Sequence, residues 1–544
     1  IPDYAFAKMS DLSAVTISNG VKKIGEYAFS DCSNLTLIVV PGSVVSIGSR
    51  AFRNCSSLNR IDYNGDISSW CNLSGVDNLR VNNASVSFNA TGGNGTLVIP
   101  DSITEIKGSA FEYFGGIRNV IIPEGVTSIG DYAFRGCRDI ISVELPDSLK
   151  YIGSYAFADC DNLGSIRIGS GVSSVGSYAF DSCVSLQSLS LGAKADSLGT
   201  GVFDDCYSLN CLNFEGSIKD WCENEYVAKI TPIYQKDGYY ELTIGGNKFP
   251  VNLKIPSGTT KIASHAFISR TEITEVTIPS SVATVGSYAF VGCDYLKNVV
   301  IENGVSALGD RAFAECSEIE SLSIGQNVTF GTDVFLDCVK LKKLNYLGSE
   351  ASYSGCGYVK MLRNWNAPVE KVVNNGDEFE RAFIAEDVTE IPDYTYYNCD
   401  KITFIGVLGN PGVLSRIGNY AFYGCSGLKD EKNIYLGSRL EYIGDYAFYG
   451  CSGIIEINAG SKIKTIGEYA FGNCSKLTSV SLGKSLYKLG YCVFDNCEKL
   501  ETVTYNGTKN DFNYIVSSLS NSRLGRNCAF KIVCNGNVSI NYKG

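Results

Sequence analysis

Thiols are the most abundant reactive groups in this chain, and their spacing limits the chemistry they can do. The sequence has 21 cysteines and a single histidine, His265. A catalytic Cys–His pair would need a cysteine beside His265 in the fold and a third group to orient the imidazole. The chain has no Cys-x-x-Cys pair and no second histidine, so a zinc site lacks its usual ligands. We therefore expect no catalytic, cofactor-binding or metal-binding residues.

Fourteen of the cysteines occupy the same position, three residues after a recurring phenylalanine. Met9 and Phe114 hold this position in other repeats, so it is an apolar interior position in which cysteine acts as a small hydrophobic residue. We expect these thiols to be reduced and buried, and a hydroxyl in place of Cys160 to lack a hydrogen-bond partner. The other seven lie outside this register, and any reactive or bridging thiol is expected among these and not in the buried row: Cys71, Cys211, Cys222, Cys356, Cys492, Cys528 and Cys534.

A carboxylate or hydroxyl residue stands three positions before the phenylalanine in most repeats, as at Asp3, Asp131 and Ser154. Asp and Ser are preferred at helix N-caps, so we expect Gly-[Asp/Ser]-Tyr-Ala-Phe to form one short helical or 3₁₀ turn. Capping explains these acids better than a metal site does, because no second ligand type accompanies them. His265 replaces the tyrosine of this motif, a position that also accepts arginine and is therefore partly solvated.

The phenylalanine from which these positions are counted recurs along the chain, most often at intervals of 23 residues. A fixed period in the twenties is typical of a solenoid, in which each repeat buries its apolar side only against its neighbours. Tyr396 takes the place of the phenylalanine in one repeat. The positions are Phe6, Phe29, Phe52, Phe111, Phe134, Phe157, Phe180, Phe203, Phe267, Phe290, Phe313, Phe335, Phe422, Phe448, Phe471 and Phe494.

Aliphatic residues six and nine positions after the phenylalanine predict a short strand in each repeat, and Pro or Gly often follows where the strand ends. Stacked strands form a parallel sheet, with outward side chains eight and ten positions after the phenylalanine. These are mainly Ser and Thr, and we expect Glu144 and Arg167 to pair across adjacent strands. A solvated sheet without a ligand explains the same composition. The candidate binding residues on this face are Arg60, Asp62, Glu144, Arg167, Ser190, Glu275, Ser323, Lys343 and Glu456.

Ten tyrosines two positions before the phenylalanine form a second candidate surface. Stacked tyrosines with solvated hydroxyls can bind protein or sugar. More often such side chains only cover the turn beneath them.

Four insertions interrupt the repeats and share a pattern. Each begins with an aromatic residue, any residue and glycine, and then places a second aromatic residue eighteen positions after the preceding phenylalanine: Trp70, Trp221, Tyr353 and Phe512. The first three reach a Gly/Asn pair that predicts a β-hairpin, at Gly93-Asn94-Gly95, Gly245-Gly246-Asn247 and Asn374-Asn375-Gly376; the fourth runs through Asn535-Gly536. The aromatic residues either form a third candidate binding surface or are the cores of these modules.

The insertions divide one solenoid, 1–544, into blocks of repeats that are each closed by a module. We predict blocks at 1–62, 100–213, 255–345 and 387–504, and modules at 63–99, 214–254, 346–386 and 505–544, the last of them truncated. The chain opens inside a repeat, at Ile1-Pro2-Asp3, so we expect it to be a piece of a longer protein.

The repeat Leu-x-x-Ile-x-Ile-Pro-x-x-Val-x-x-Ile-Gly-x-x-Ala-Phe-x-x-Cys, as in residues 140–160, resembles the BspA-like leucine-rich repeat family over seventeen units. The resemblance implies a β-rich, curved, right-handed solenoid, with a parallel sheet on its concave face, short helical turns opposite and hairpin insertions. It also implies an extracellular or cell-surface location and adhesion to host or microbial partners.

Charge and hydropathy argue against several classes of partner. The net charge is −11 without a basic run, which disfavours nucleic acid and anionic membranes. No run of about 20 apolar residues could span a bilayer. We expect a non-enzymatic adhesion surface for host matrix or cell-surface proteins, or for glycans, without cofactors. The alternatives are a carbohydrate-binding or substrate-anchoring segment of a larger surface enzyme, and a structural spacer.

Overall fold

The computed structural model describes residues 1–79, 84–87, 95–192, 197–230, 241–407, 413–429, 434–517, 523–535 and 538–543. The chain divides into two compact units, Ile1–Phe249 and Pro250–Gly544, and the division falls inside the predicted second module. Both units are built from the predicted repeat, in which a strand of up to five residues is followed by turns.

The longer strand of each repeat joins a parallel sheet, because consecutive repeats place it next to its equivalent. Val15 pairs with Ile38, and Ile38 pairs with Ile61, one repeat apart. Inward side chains are buried and outward ones are at least partly exposed. In the first unit these strands are Ala14–Thr16, Leu37–Pro41, Arg60–Asn64, Ser85–Ser87, Thr96–Val98, Asn119–Ile121, Ser142–Glu144, Ser165–Ile168, Ser188–Leu191, Cys211–Phe214 and Glu241–Ile244. In the second unit they are Asn252–Lys254, Glu275–Ile278, Asn298–Ile301, Ser321–Ile324, Lys343–Tyr346, Lys371–Asn374, Arg381–Ile384, Phe404–Val407, Ile434–Tyr435, Glu456–Asn458, Ser479–Leu482, Thr502–Tyr505 and Ala529–Cys534.

A second set of strands, two residues each, was not predicted. Each ends at the apolar residue five positions before the phenylalanine, and neighbours pair in parallel, as Ile129 does with Ile152. They are Lys23–Ile24, Ser46–Ile47, Glu105–Ile106, Ser128–Ile129, Tyr151–Ile152, Ser174–Val175, Ser197–Leu198, Lys261–Ile262, Thr284–Val285, Ala307–Leu308, Thr329–Phe330, Glu390–Ile391, Arg416–Ile417, Tyr442–Ile443, Thr465–Ile466 and Lys488–Leu489.

Stacked phenylalanine rings form the centre of each block. The ring centroids of Phe134 and Phe157 lie 5.1 Å apart, with their planes inclined by 5°, and both rings are fully buried. Tyr396 stacks on Phe422 at 5.2 Å, so it substitutes for phenylalanine as predicted. Strands in a sheet are about 4.8 Å apart, so one ring per repeat fits the pitch of the sheet.

The segment between the recurring glycine and the phenylalanine of each repeat consists of turns. The prediction of a helical turn there is wrong. The tyrosine of this segment has a left-handed backbone, with φ of 62° at Tyr132 and 55° at Tyr155. A residue with positive φ cannot continue a right-handed helix. Alternate amides bond to the neighbouring repeat, as when Phe134 N–H donates to the carbonyl oxygen of Ala156 at 2.7 Å, and the amides between them close turns within the repeat.

The aspartate that suggested a helix cap links neighbouring repeats instead. Asp131 Oδ1 accepts a hydrogen bond from the backbone N–H of Ser154 at 2.7 Å. Asp445 Oδ1 accepts from the N–H of Glu468 at the same distance, and Asn419 takes this part toward Asp445. The carboxylates therefore satisfy turn amides of the next repeat, and among the described residues no group of three metal-ligating side chains comes together.

Glycine precedes this Asp or Ser position because the backbones of two repeats meet there. A Cβ atom on Gly153 would lie 2.4 Å from the backbone nitrogen of Asp131. No side chain fits at that distance, so the Ile-Gly pair marks a close contact between turns.

The in-register thiols donate hydrogen bonds along the stack. Cys137 Sγ lies 2.9 Å from the carbonyl oxygen of Phe111, one repeat earlier, and Cys160 Sγ lies 3.4 Å from that of Phe134. A hydroxyl at Cys160 would find the same acceptor, which corrects the expectation that it would lack a partner.

All 21 cysteines are free thiols, and the predicted buried row is confirmed. Of the seven outside the register, only Cys211 and Cys356 are partly exposed. Burial raises the pKa of Cys71 to about 12, and of Cys528 to about 12. A thiol with so high a pKa holds almost no thiolate at neutral pH and is a poor nucleophile.

The modules contain all of the helices found in the described residues. These are α1 (Ile67–Cys71), α2 (Ile218–Glu223), α3 (Val227–Ile230), α4 (Glu350–Tyr353), α5 (Tyr358–Asn364) and α6 (Lys509–Ser517), with a 3₁₀ helix at Val76–Leu79. Sequence reasoning missed them, although Ser217 and Asp220 form a capping box at α2.

The predicted hairpins are confirmed in the second and third modules. Glu241–Ile244 pairs antiparallel with Asn247–Lys248, and Lys371–Asn374 pairs with Asp377–Glu378. In the fourth module Ala529–Cys534 pairs with Val538–Lys543, so Phe530 belongs to the hairpin as predicted. The hairpin predicted at Gly93-Asn94-Gly95 lies mostly outside the described residues.

We predict that replacing Cys137 by alanine lowers the free energy of unfolding by about 1–2 kcal/mol, because the change leaves a small cavity and removes the donor to Phe111. Serine should cost less than alanine, since its hydroxyl can donate to the same carbonyl. Denaturant unfolding measures both. Cys211→Ala is the control, with an expected change below about 0.5 kcal/mol at a partly exposed site. A larger loss for serine than for alanine would contradict the hydrogen-bonding role of the thiol.

The inter-repeat bond of Asp445 generates a second prediction. Asp445→Ala should destabilise the fourth block by about 1 kcal/mol and speed hydrogen exchange at the Glu468 amide, which loses its acceptor. Asp445→Asn should preserve both properties, because Asn419 makes the same bond one repeat earlier. Equal exchange rates at Glu468 in the alanine and asparagine variants would show that the carboxylate does not hold this turn.

Candidate binding surfaces

The nine predicted sheet-face residues all occupy outward strand positions. Five are exposed, namely Arg60, Glu144, Arg167, Lys343 and Glu456, and four are partly exposed, namely Asp62, Ser190, Glu275 and Ser323. The sheets bring Arg60 beside Asp62, place Arg167 with Ser190, and join Glu275, Ser323 and Lys343. Glu144 and Glu456 lie on two further sheets. The nine candidates therefore lie on five different sheets.

Arg167 pairs with Glu215, and the predicted pair with Glu144 is wrong. The Nε and Nη2 atoms of Arg167 donate to the two carboxylate oxygens of Glu215 at 2.7 and 2.8 Å, and Nη1 lies 3.3 Å from Asp147 Oδ1. The strands that carry Glu144 and Arg167 are in contact although they belong to different sheets. Arg167 directs its guanidinium to Glu215 and Asp147 instead of Glu144. The hydrogen bonds that Arg167 donates to Glu215 raise the pKa of the guanidinium.

Side chains on the seven-stranded sheet of the second unit form hydrogen bonds across its strands. Glu275 accepts from Asn252 Nδ2 at 2.7 Å and from Asn298 Nδ2 at 3.1 Å. Ser321 Oγ in turn donates to Asn298 Oδ1 at 2.6 Å. These bonds fix short polar side chains in one arrangement on a partly exposed face.

The four module aromatics are buried, which corrects their place among the candidate binding residues. The exposed fractions of Trp70, Trp221, Tyr353 and Phe512 are 1%, 0%, 1% and 1%. Each ring packs on the aromatic residue that opens its module, with centroid distances of 4.8 Å for Tyr63–Trp70, 5.2 Å for Phe214–Trp221, 5.1 Å for Tyr346–Tyr353 and 5.3 Å for Tyr505–Phe512. A ligand cannot reach them, so they are the cores of the modules.

The same ring packing requires glycine at three of the module openings, namely Gly65, Gly348 and Gly507. A Cβ atom on Gly348 would lie 2.5 Å from the hydroxyl oxygen of Tyr346, whose ring lies over it. The aromatic-x-Gly motif and the aromatic residue seven positions later are therefore two sides of one packing unit.

The tyrosines before the phenylalanine stack into columns, as Tyr132, Tyr155 and Tyr178 do at 5.3 and 5.1 Å. A second column in the fourth block, made of Tyr397, Tyr423 and Tyr449, was missed. These residues follow the phenylalanine position by one and recur every 26 residues, so the signal was visible in the sequence.

His265 lies in a tyrosine column and stacks on Tyr288 at 5.1 Å. It is partly exposed, as predicted. Its Nδ1 atom is buried and has no hydrogen-bond partner among the described residues, and burial lowers the pKa of the imidazole. The histidine thus serves as an aromatic ring in a stack.

Parallel strands, one from each short repeat, stacked over a column of apolar side chains, define a leucine-rich repeat solenoid. The chain belongs to the BspA-type leucine rich repeat family, whose model matches residues 1–74, 84–226, 247–356 and 378–521. The family and the fold are those of repeat scaffolds that bind proteins and are generally not catalytic. No helix of the described residues has the length and apolar character needed to cross a membrane.

Several solved structures resemble the chain. A leucine-rich repeat protein from Bacteroides ovatus is 21% identical over 96% of this chain and 92% of that one, with a TM-score of 0.24. A leucine rich cell surface protein from Faecalibacterium prausnitzii is 20% identical over 64% and 90%, with a TM-score of 0.30. The pneumococcal vaccine antigen PcpA is 16% identical over 96% and 91%, with a TM-score of 0.29. A search of curated protein sequences gave no match.

We predict that Trp70→Ala lowers the free energy of unfolding by about 3–5 kcal/mol, as expected for loss of a buried aromatic core residue. Trp70→Phe should cost about 1 kcal/mol, because it keeps the ring but loses the hydrogen bond from Nε1 to the carbonyl oxygen of Ala110, 2.8 Å away. Thermal and denaturant unfolding measure both changes. An alanine variant as stable as the parent would show that Trp70 is not part of a core.

Proposed function

We propose that this protein is a non-catalytic recognition and adhesion solenoid, located outside the cell or on its surface, that binds host or microbial surface proteins. The observation that carries the proposal is the outward face of the main sheets, where short polar side chains stand at regular intervals on rigid strands. Membership of the BspA-type family supports a protein partner and a surface location.

The side chains of the seven-stranded sheet suit a protein partner. Covering a short Ser, Thr or Asn side chain costs less conformational entropy than covering a long one. The bonds from Asn252 and Asn298 to Glu275 already hold part of this face in one arrangement. Exposed Lys343 and Lys371 add charge beside it, which favours orientation and fast association more than affinity.

The shape of this face also favours a folded partner over a small ligand. Seven strands, at about 4.8 Å each, span about 30 Å. Small molecules prefer concave, largely apolar pockets that bury most of their surface. A broad sheet with partly exposed polar groups resembles the polar, adaptable part of a protein interface.

We expect the full chain to bind saturably to at least one protein in an array of extracellular matrix and bacterial surface proteins. Ser323→Arg should weaken that binding at least tenfold, because a long charged side chain in the middle of the sheet blocks a flat partner (about 1.4 kcal/mol). The substitution is compatible with the fold, since Arg167 occupies the equivalent position of another strand. Surface plasmon resonance with the immobilised partner measures the effect.

A matched control carries the same charge on the turn side. Ser475 is exposed, and Arg138 holds its position in another repeat, so Ser475→Arg should fold and bind like the parent. If no protein binds saturably, or if the folded Ser323→Arg variant binds as tightly as the parent, the proposed function of the sheet face is wrong.

A further inference from the structure

The fourth block carries two adjacent columns of tyrosine rings on its turn segments. The first holds Tyr394, Tyr420, Tyr446 and Tyr469, with steps of 4.9, 5.0 and 5.0 Å. The second holds Tyr397, Tyr423 and Tyr449, with steps of 5.0 and 5.2 Å. Rings of the two columns meet at 5.7, 5.7 and 5.5 Å. The seven rings form one continuous surface, which we name the tyrosine double column.

The faces of these rings are covered at both ends. The guanidinium carbon of Arg363, in α5, lies 4.5 Å from the ring centroid of Tyr394 and 4.4 Å from that of Tyr397. At the other end Tyr491 places its ring across Tyr469, at 5.7 Å and 80°. Both ring faces are therefore covered in all of these tyrosines except Tyr449, and the covered rings present an edge and a hydroxyl to solvent. Such a surface binds by hydrogen bonds and not by ring stacking.

Most of the hydroxyls have no partner among the residues that the structure describes. The partly exposed hydroxyls of Tyr394, Tyr397, Tyr420, Tyr423 and Tyr446 make no hydrogen bond to any described residue. Tyr449 is different, because its hydroxyl accepts from Asn473 Nδ2 at 2.7 Å. Partial burial and neighbouring rings raise the pKa of Tyr420, so the group remains a protonated donor at neutral pH.

Beyond Arg363, which covers Tyr397, the line of the second column is uncharged and low in relief. Gly424 and Gly450 follow Tyr423 and Tyr449 in sequence and add no side chain beside them. Beyond Tyr449 the line continues in amides, where Asn496 Nδ2 donates to Asn473 Oδ1 at 2.8 Å. The line thus offers hydroxyl and amide groups at nearly every repeat.

We propose that the tyrosine double column binds an uncharged, β-linked glycan chain that lies along the stack. One pyranose unit of an extended β-linked glycan is about as long as one step of the columns, and it carries several hydroxyls. Such a chain meets a donor or acceptor at each step. In an extended peptide, side chains on one face recur only about every 6.7 Å, so they do not match the steps of the columns. This surface is separate from the sheet face, and the inference does not depend on the proposed function.

The second block contains a natural comparison. Its single column, Tyr132, Tyr155 and Tyr178, also has a step near 5 Å. Arg135 takes the place of the second column there, with its guanidinium 5.6 Å from the Tyr132 centroid and 5.7 Å from that of Tyr155. That site lacks the hydroxyls of a second column, so it should not retain the glycan.

Affinity electrophoresis of the full chain through gels that contain hydroxyethylcellulose, glucomannan or mixed-linkage β-glucan tests the inference. We expect at least one of these neutral glycans to retard the protein, with little effect of added salt. The combined variant Tyr397→Phe, Tyr420→Phe, Tyr423→Phe and Tyr446→Phe keeps the stacked rings and removes only hydroxyls. It should bind at least about tenfold more weakly, because each lost hydrogen bond contributes modestly and the contributions of four hydroxyls add up.

The control variant is Tyr132→Phe, Tyr155→Phe and Tyr178→Phe, which makes the same chemical change in the second block and should migrate like the parent. Circular dichroism and thermal unfolding verify that both variants fold. Equal retardation of parent and block-four variant would overturn the inference. So would the absence of retardation by all three neutral glycans, or retardation only by hyaluronan, an anionic glycan, that salt abolishes.

Discussion

The stacking of one phenylalanine ring per repeat is the interaction on which the rest of the structure depends. The rings lie 4.9 to 5.6 Å apart through most of the blocks, as for Phe290 and Phe313 or Phe448 and Phe471. This distance matches the spacing of strands in a sheet of about 4.8 Å. Strand, ring and turn therefore advance by the same step, and any residue at a fixed place in the repeat meets its own equivalent.

That constraint explains why the interior is chemically quiet. A thiol such as Cys183 donates to the carbonyl oxygen of Phe157 in the preceding repeat, and an aspartate such as Asp393 accepts from the amide of Asn419 in the next one. Both of these groups are satisfied by a backbone group one step away, which is the condition for burying them at low cost. Groups that could act on a partner are left at the outward strand positions and on the turns.

The sequence was sufficient for the features that repeat by type. Counting from Phe134 placed Cys137 and Val143 in the core, and both are buried. It was insufficient for features that depend on distance between repeats. In the sequence, an aspartate before a turn indicates a helix cap. Only the left-handed backbone of Tyr132 shows that there is no helix here and that the carboxylate of Asp131 bonds to another repeat. The partner of Arg167 is equally hidden in the sequence, because Glu215 lies 48 residues away from it along the chain.

The same distinction applies to the candidate sites, some of which follow from the repeat pattern while others depend on contacts in the fold. The outward positions of Ser190 and Glu275 follow from strand alternation alone, because side chains of a strand point to opposite faces. The burial of Trp221 could not be decided, since an aromatic residue in an insertion is as compatible with a core as with a binding face. Its partner Phe214, seven residues earlier and 5.2 Å away, becomes evident only when α2 folds the two rings together.

The pitch of the stack constrains the buried positions of a repeat more than its exposed turn positions. A turn position exposed to solvent can change without disturbing the stack, and the position of Tyr132 is held elsewhere by Arg311 and His265. Where neighbouring repeats all keep tyrosine at two such positions, as from Tyr394 to Tyr449, single rings merge into an extended surface. Arg363 of the third module covers the first rings of that surface. The module thereby fixes where the columns begin, so an insertion that is itself a closed core also defines the limit of a surface built by repetition.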